Sequence, residues 1–128
     1  MSQKLQHFIV GVLTLLLMKC ATTSAESITL IDRTIVYQYD EAVYHLTFDT
    51  DSTLHWEAMQ GSELGLRGTE VYIAEWITVD KLFITWGEES GTGVSQVLDF
   101  EKGTVVNHLI FGRSLYAGDG TIKFLDDN

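Results

Sequence analysis

Beyond its first 25 residues the chain has no stretch of helical period; apolar and polar residues alternate in steps of two throughout. A period of two belongs to a pleated strand, whose successive side chains point to opposite faces. Runs rich in Val, Ile, Thr, Tyr, Phe and Trp are broken at short intervals by turn-forming residues. These are Asp40-Glu41, Asp49-Thr50-Asp51, Gly61 to Gly68, Val79-Asp80, Glu89 to Gly93, Lys102-Gly103 and Gly118-Asp119-Gly120. That pattern is one of consecutive antiparallel strands. It predicts strands near 28–31, 34–40, 43–49, 53–59, 70–78, 81–88, 94–101, 104–111 and 120–125. The expected fold is all-β, a small antiparallel up-and-down barrel of eight to nine strands. Closure of such a meander removes its exposed edges. A β-sandwich is the alternative. The chain has no Pro, so its turns rely on Gly, Asp and Ser.

The first residues read differently. Lys4 precedes an apolar run from Phe8 to Met18, followed by the small residues Ala21 to Ala25. This is the layout of a secretory signal peptide, and the run is shorter than the ~20 residues needed to span a bilayer. Cleavage is expected near Ala25, which leaves residues 26–128 as one exported domain, periplasmic or secreted, with no stable membrane insertion. Lipidation at Cys20 is not expected, because Lys19 stands where a lipobox wants a small residue. Cys20 is the only cysteine, so the mature domain has no disulfide and relies on packing and its sheet. The whole chain carries a net charge of −10, and the leader holds two lysines and no acid. So acidic a domain argues against nucleic acid and anionic membrane surfaces as partners.

Alternation also assigns faces. Ile35, Tyr37 and Tyr39 share one, as do Tyr44, Leu46 and Phe48; Leu54, Trp56 and Ala58; Leu82, Ile84, Trp86 and Glu88; and Val94, Gln96, Leu98 and Phe100. Each set reads as inward. Glu88 then ends an apolar stripe, and a carboxyl group in an apolar cavity has a raised pKa suited to a general acid. The plainer reading places Glu88 in the turn, facing water. Tyr37 and Tyr39 put two phenols side by side, able to grip a carboxylate or phenolate, or else are ordinary core aromatics. Arg67 lies in a Gly-flanked loop from which a guanidinium could reach over a barrel end; otherwise it is a surface residue paired with an acid. The apolar positions Tyr72, Trp76 and Phe83 are assigned outward, where they would suit a homodimer through an outer face.

Other chemistries find little support. His45, His55 and His108 are scattered, so no zinc site is expected, and the acidic turns lack the ladder of an EF-hand. Neither a nucleophile elbow nor a phosphate-cradling Gly loop is present. No cofactor or metal is expected.

Taken together, Ile35-Val36-Tyr37-Gln38-Tyr39-Asp40, then Arg67, then Trp86-Gly87-Glu88-Glu89-Ser90-Gly91-Thr92 resemble the phenolic acid decarboxylases. Those are cofactor-free enzymes on a lipocalin-like barrel. The resemblance aligns Tyr37 and Tyr39 with their tyrosine pair, Arg67 with their arginine and Glu88 with their acid. Leu54-His55-Trp56, Tyr72, Trp86-Gly87-Glu88 and Asp99-Phe100-Glu101-Lys102-Gly103 resemble the short MoaF-like calycin domains at least as well. That second resemblance implies the same barrel but no defined activity. Glu89 stands where the decarboxylases have Pro, the sequence stops at Asn128 where they continue, and an export signal is foreign to those cytoplasmic enzymes.

The leading expectation is an exported barrel that binds a small aromatic or apolar acid. Tyr37, Tyr39, Arg67 and Glu88 would orient it, and Trp56 and Trp86 would form walls. The alternative is a cofactor-independent carboxy-lyase acting on para-hydroxycinnamates, with Glu88 as proton donor. A structural module without ligand is a third reading, since one barrel can host all three.

Overall fold

The computed structural model describes residues 27–127; the expected leader, with Cys20 and the Ala25 cleavage point, lies outside them. Eight strands follow one another: β1 (Thr34–Gln38), β2 (Val43–Phe48), β3 (Thr53–Gln60), β4 (Arg67–Thr78), β5 (Lys81–Gly87), β6 (Thr92–Asp99), β7 (Thr104–Phe111) and β8 (Ser114–Phe124). Each pairs antiparallel with its sequence neighbour, and β8 returns to β1 to close the barrel. Closure leaves no strand edge free, as the alternation and short turns predict.

Two predicted elements differ. Residues 28–31 do not form a strand; Ile31 alone makes a bridge, parallel to Phe48, and Asp32 then turns the chain at a φ of 62°. The last strand begins at Ser114 rather than near 120, and the turn before it is at Gly112, where φ is 60°. Gly118 and Gly120 therefore lie inside β8 and are there for space. A Cβ at Gly120 would stand 2.5 Å from the Gln38 carbonyl oxygen and 2.9 Å from the Tyr39 ring. One at Gly118 would stand 3.2 Å from Asn107 Oδ1. Glycine inside a strand commonly marks such close approach rather than a turn.

Cross-strand partners share a face, so the register fixes which residues point inward. Tyr37 faces Tyr44, Leu46 faces Trp56, Trp86 faces Val94, and Gln96 faces Asn107. The predicted inward sets hold. The outward assignment of Tyr72 and Trp76 does not. Tyr72 stands opposite Trp86 and is 7% exposed, and Trp76 stands opposite the buried Leu82. The reason lies in β4 itself, where Val71, Ile73 and Ile77 are apolar on the other face and exposed. With both faces apolar, alternation carries no contrast. Of the three expected outward residues, only Phe83 is on the outer face, paired with Glu75 and Val97.

The interior has two halves. At the end formed by the β2–β3, β4–β5 and β6–β7 turns, large side chains fill it completely: Ile35, Phe48, Leu54, Leu82, Ile84, Leu98 and Val105 are all buried. Each such burial contributes about 1.5–3 kcal/mol. Phe100 and Phe124 stack there at 5.5 Å, Trp76 leans on Phe100 at 5.8 Å, and the Arg33 guanidinium lies 3.5 Å above the Phe124 ring. That end is closed. The other half is not filled.

Candidate functional site

The open half of the barrel is a cavity of about 790 Å³, reached between the β1–β2, β3–β4 and β5–β6 connections. Its size suits a small organic ligand. Space exists there because the inner positions toward the mouth are small or polar. Gly68 and Gly118 line it alongside Gln96 and Asn107, where the closed half has Leu, Ile and Phe.

One wall is aromatic. Tyr37 and Tyr39 stack at 6.4 Å, Tyr39 meets Tyr44 edge-on at 6.0 Å, and Tyr44 meets Trp56 at 6.3 Å. Burial raises the Tyr37 hydroxyl well above its ordinary pKa, with the Tyr39 phenol adding to the effect; burial pushes Tyr39 up to about 12. Both phenols are therefore neutral near neutral pH and keep their protons to donate. Burial, and then the Glu63 carboxylate, raise Tyr44 as well, and Tyr44 Oη donates to Glu63 Oε2 at 2.6 Å.

Opposite that wall are carboxylates. Glu88 follows the last residue of β5 and opens the turn, its N–H donating to the Thr92 carbonyl at 2.8 Å. It nonetheless lines the cavity and is half-buried. Desolvation raises its pKa first of all; the Trp86 indole lowers it, and the charges of Glu70 and Glu63 raise it further. Trp86 Nε1 thus lies close enough to favour the carboxylate, yet makes no hydrogen bond of good geometry. Continuing the Tyr72–Trp86 register outward by two residues on each strand sets Glu70 opposite Glu88. Trp56 Nε1 donates to Glu70 Oε1 at a long 3.4 Å, and both side chains lie over Gly68, where a Cβ would stand 2.6 Å from that oxygen.

The floor holds polar atoms with nothing to bond. Tyr37 Oη, Trp86 Nε1, Gln96 Oε1 and Asn107 Oδ1 are buried and have no partner among the described residues. Gln96 Nε2 donates to Tyr39 Oη at 3.4 Å, which leaves the amide oxygen free. Buried polar groups are normally satisfied, so four orphans beneath one cavity mark the place where a bound molecule or water completes the set.

The six residues expected at the site all line this cavity: Tyr37, Tyr39, Trp56, Arg67, Trp86 and Glu88. They do not contribute equally. Arg67 opens β4 at the rim, is exposed, and has the outer-face register opposite Glu57, so it reaches the cavity only from its edge. Sequence reasoning passed over Glu63, Glu70, Gln96 and Asn107. Gln96 and Asn107 carried a readable signal, a polar residue between apolar ones on an inward face; Glu70 was hidden by the two apolar faces of β4.

Comparison with known proteins agrees with the fold. Residues 31–123 match the family model described as MoaF-like. The barrel is similar to a crystal structure of a candidate beta-lactamase from Burkholderia vietnamiensis, with a TM-score of 0.71 at 20% identity. The match covers 77% of this chain and 97% of that one. At that identity the likeness concerns the fold alone. No curated protein matches the chain.

Proposed function

The chain belongs to the MoaF-like family, and on that premise we propose that it is an exported binding protein that holds a small aromatic or apolar molecule in the open half of its barrel. The observation that carries this reading is the pairing of a cavity of about 790 Å³ with four partnerless buried polar atoms at its floor. Tyr37, Tyr39, Tyr44, Trp56 and Trp86 offer flat apolar contact, and Gln96, Asn107 and the Tyr37 hydroxyl supply orientation. Two of the three tryptophans line the cavity, while Trp76 sits at the closed end. Export rests on the leader-like segment 1–25.

Titration of the purified protein with 2-phenylethanol, followed by tryptophan fluorescence, tests the reading. Saturable quenching is expected, and it should persist in Trp76→Phe. Absence of saturable quenching in the wild-type protein counts against a ligand cup.

A second reading rests on Glu88, a cavity-lining carboxyl whose pKa is raised by burial. In cofactor-free decarboxylation of a para-hydroxycinnamate, Glu88 would protonate the carbon beside the departing carboxylate, and Tyr37 and Tyr39 would hold the substrate. The lining sets four glutamates against one rim arginine, which disfavours an anionic substrate, so we place this reading second. An ultraviolet assay with para-coumarate should show no turnover. Turnover that disappears in Glu88→Gln would put the lyase first.

A further inference from the structure

Granting the ligand cup, the charge and hydrogen-bonding capacity of its lining say what kind of head group fits. Glu63, Glu70, Glu88 and Glu89 line the cavity; Arg67 is the only cation that does, from the rim. A shallower hollow of about 430 Å³ adjoins the same mouth and adds Asp40, Glu41 and Asp119. Elsewhere five acids have a basic partner. Every ion pair among the described residues is at the closed end, Arg33 with Asp126 and Asp127 and Lys81 with Asp80 and Asp99, and the His55 ring meets Asp49 there at 2.8 Å. The mouth carboxylates have none within 4 Å. Like charges gathered close together, as Glu70 and Glu63 are near Glu88, oppose folding unless something neutralises them.

The second observation is independent of the acids. Gln96 and Asn107 are 6% and 8% exposed, stand side by side across β6 and β7, and each has a carbonyl oxygen with no donor. The two amide oxygens add unmet acceptors at the floor to the carboxylates of the wall, beside the Tyr37 hydroxyl and the Trp86 N–H, which can donate. The remaining wall, Tyr39, Tyr44 and Trp56, offers π faces, to which organic cations are attracted. A bare metal ion does not suit the lining, because no three His, Cys, Asp or Glu side chains among the described residues converge on one point. The carboxylates are instead spread around a space large enough for an organic molecule.

From this combination we infer that the cup takes an organic cation: an aromatic or apolar body carrying an ammonium group. The ammonium hydrogens go to the mouth glutamates, the body lies against Tyr39, Tyr44 and Trp56, and the amide oxygens of Gln96 and Asn107 extend the acceptor surface below. The acidic rim also draws cations to the mouth from solution and slows anions, an effect that salt weakens. This replaces the acid head group that the sequence suggested with its opposite.

The test uses three probes of similar size that differ in head group, 2-phenylethylammonium, 2-phenylethanol and phenylacetate, titrated at neutral pH and low salt with tryptophan fluorescence. The ammonium probe is expected to bind about tenfold or more tighter than the alcohol, and phenylacetate more weakly than either. In the double variant Glu70→Gln, Glu88→Gln the ammonium should lose its advantage and bind no tighter than the alcohol does to that same variant. An unchanged circular-dichroism spectrum certifies the variant's fold. If the alcohol binds and the ammonium gains nothing over it, or phenylacetate binds best, the inference is overturned and the cup stands. If none of the three saturates, the cup falls and the inference with it.

Discussion

Glu88 shows how one residue can be placed by pattern and still need the structure to be understood. Its position at the end of Leu82, Ile84 and Trp86 was readable, because a period of two leaves only one inward choice. That it opens a turn and yet remains half-buried depends on how the hairpin bends, which no pattern states. Burial raises its folded pKa above the ordinary value of 4.5, with Glu70 and Glu63 adding to the rise. A carboxyl with a raised folded pKa binds more protons in the native state than in the unfolded chain, so stability is lost as pH rises from the unfolded to the folded value. Glu88→Gln should therefore raise the thermal midpoint at neutral pH and leave it unchanged below about pH 4, where both states are protonated. Differential scanning calorimetry at the two pH values checks this; a lowered midpoint at neutral pH would show that the charge is stabilised in the fold. Glu70 escaped notice because Tyr72 and Trp76, which share its face, were assigned outward.

At the level of the element, β8 is the most informative. Gly118-Asp119-Gly120 has the composition of a turn, and only the contacts show why it is a strand. The missing Cβ atoms let β8 pass close to Gln38, Tyr39 and Asn107, so the glycines shape the mouth. Gly120→Ala should cost about 1–3 kcal/mol, the usual penalty for forcing atoms into a packed site. It should also displace the Tyr39 ring and so weaken binding of an aromatic probe. Chemical denaturation beside a fluorescence titration measures both, and an unperturbed variant would mean that β8 lies further from β1 than described. The other strands were legible because turn-forming residues bound each of their β-branched and aromatic runs. β4 was legible as a strand but not in its orientation, and 28–31 failed because the chain turns at Asp32 and only Ile31 makes a bridge.

Across the whole molecule, the barrel is divided lengthwise into a plug and a cup. The plug is built from large aliphatic and aromatic side chains, and it carries every ion pair seen among the described residues. Because it secures the fold at one end, the other end can hold buried polar atoms without partners and carboxylates without cations. Unsatisfied groups of this kind cost stability, roughly 1–3 kcal/mol each, unless a ligand or water completes them. The all-β class, the closed meander and the aromatic wall were open to reading from alternation alone. The division into two halves was not, because it depends on which inward residues the barrel's stagger brings to the same depth.

The most direct test is a chemical-shift map of isotope-labelled protein titrated with 2-phenylethanol. Binding in the cup predicts that the largest changes fall on the Trp56 and Trp86 indoles and on the Gln96 and Asn107 side-chain amides. The Trp76 indole, at the closed end, should stay still. Changes centred on Trp76 or on the outer face of β4 and β5, or no changes at all, would contradict it.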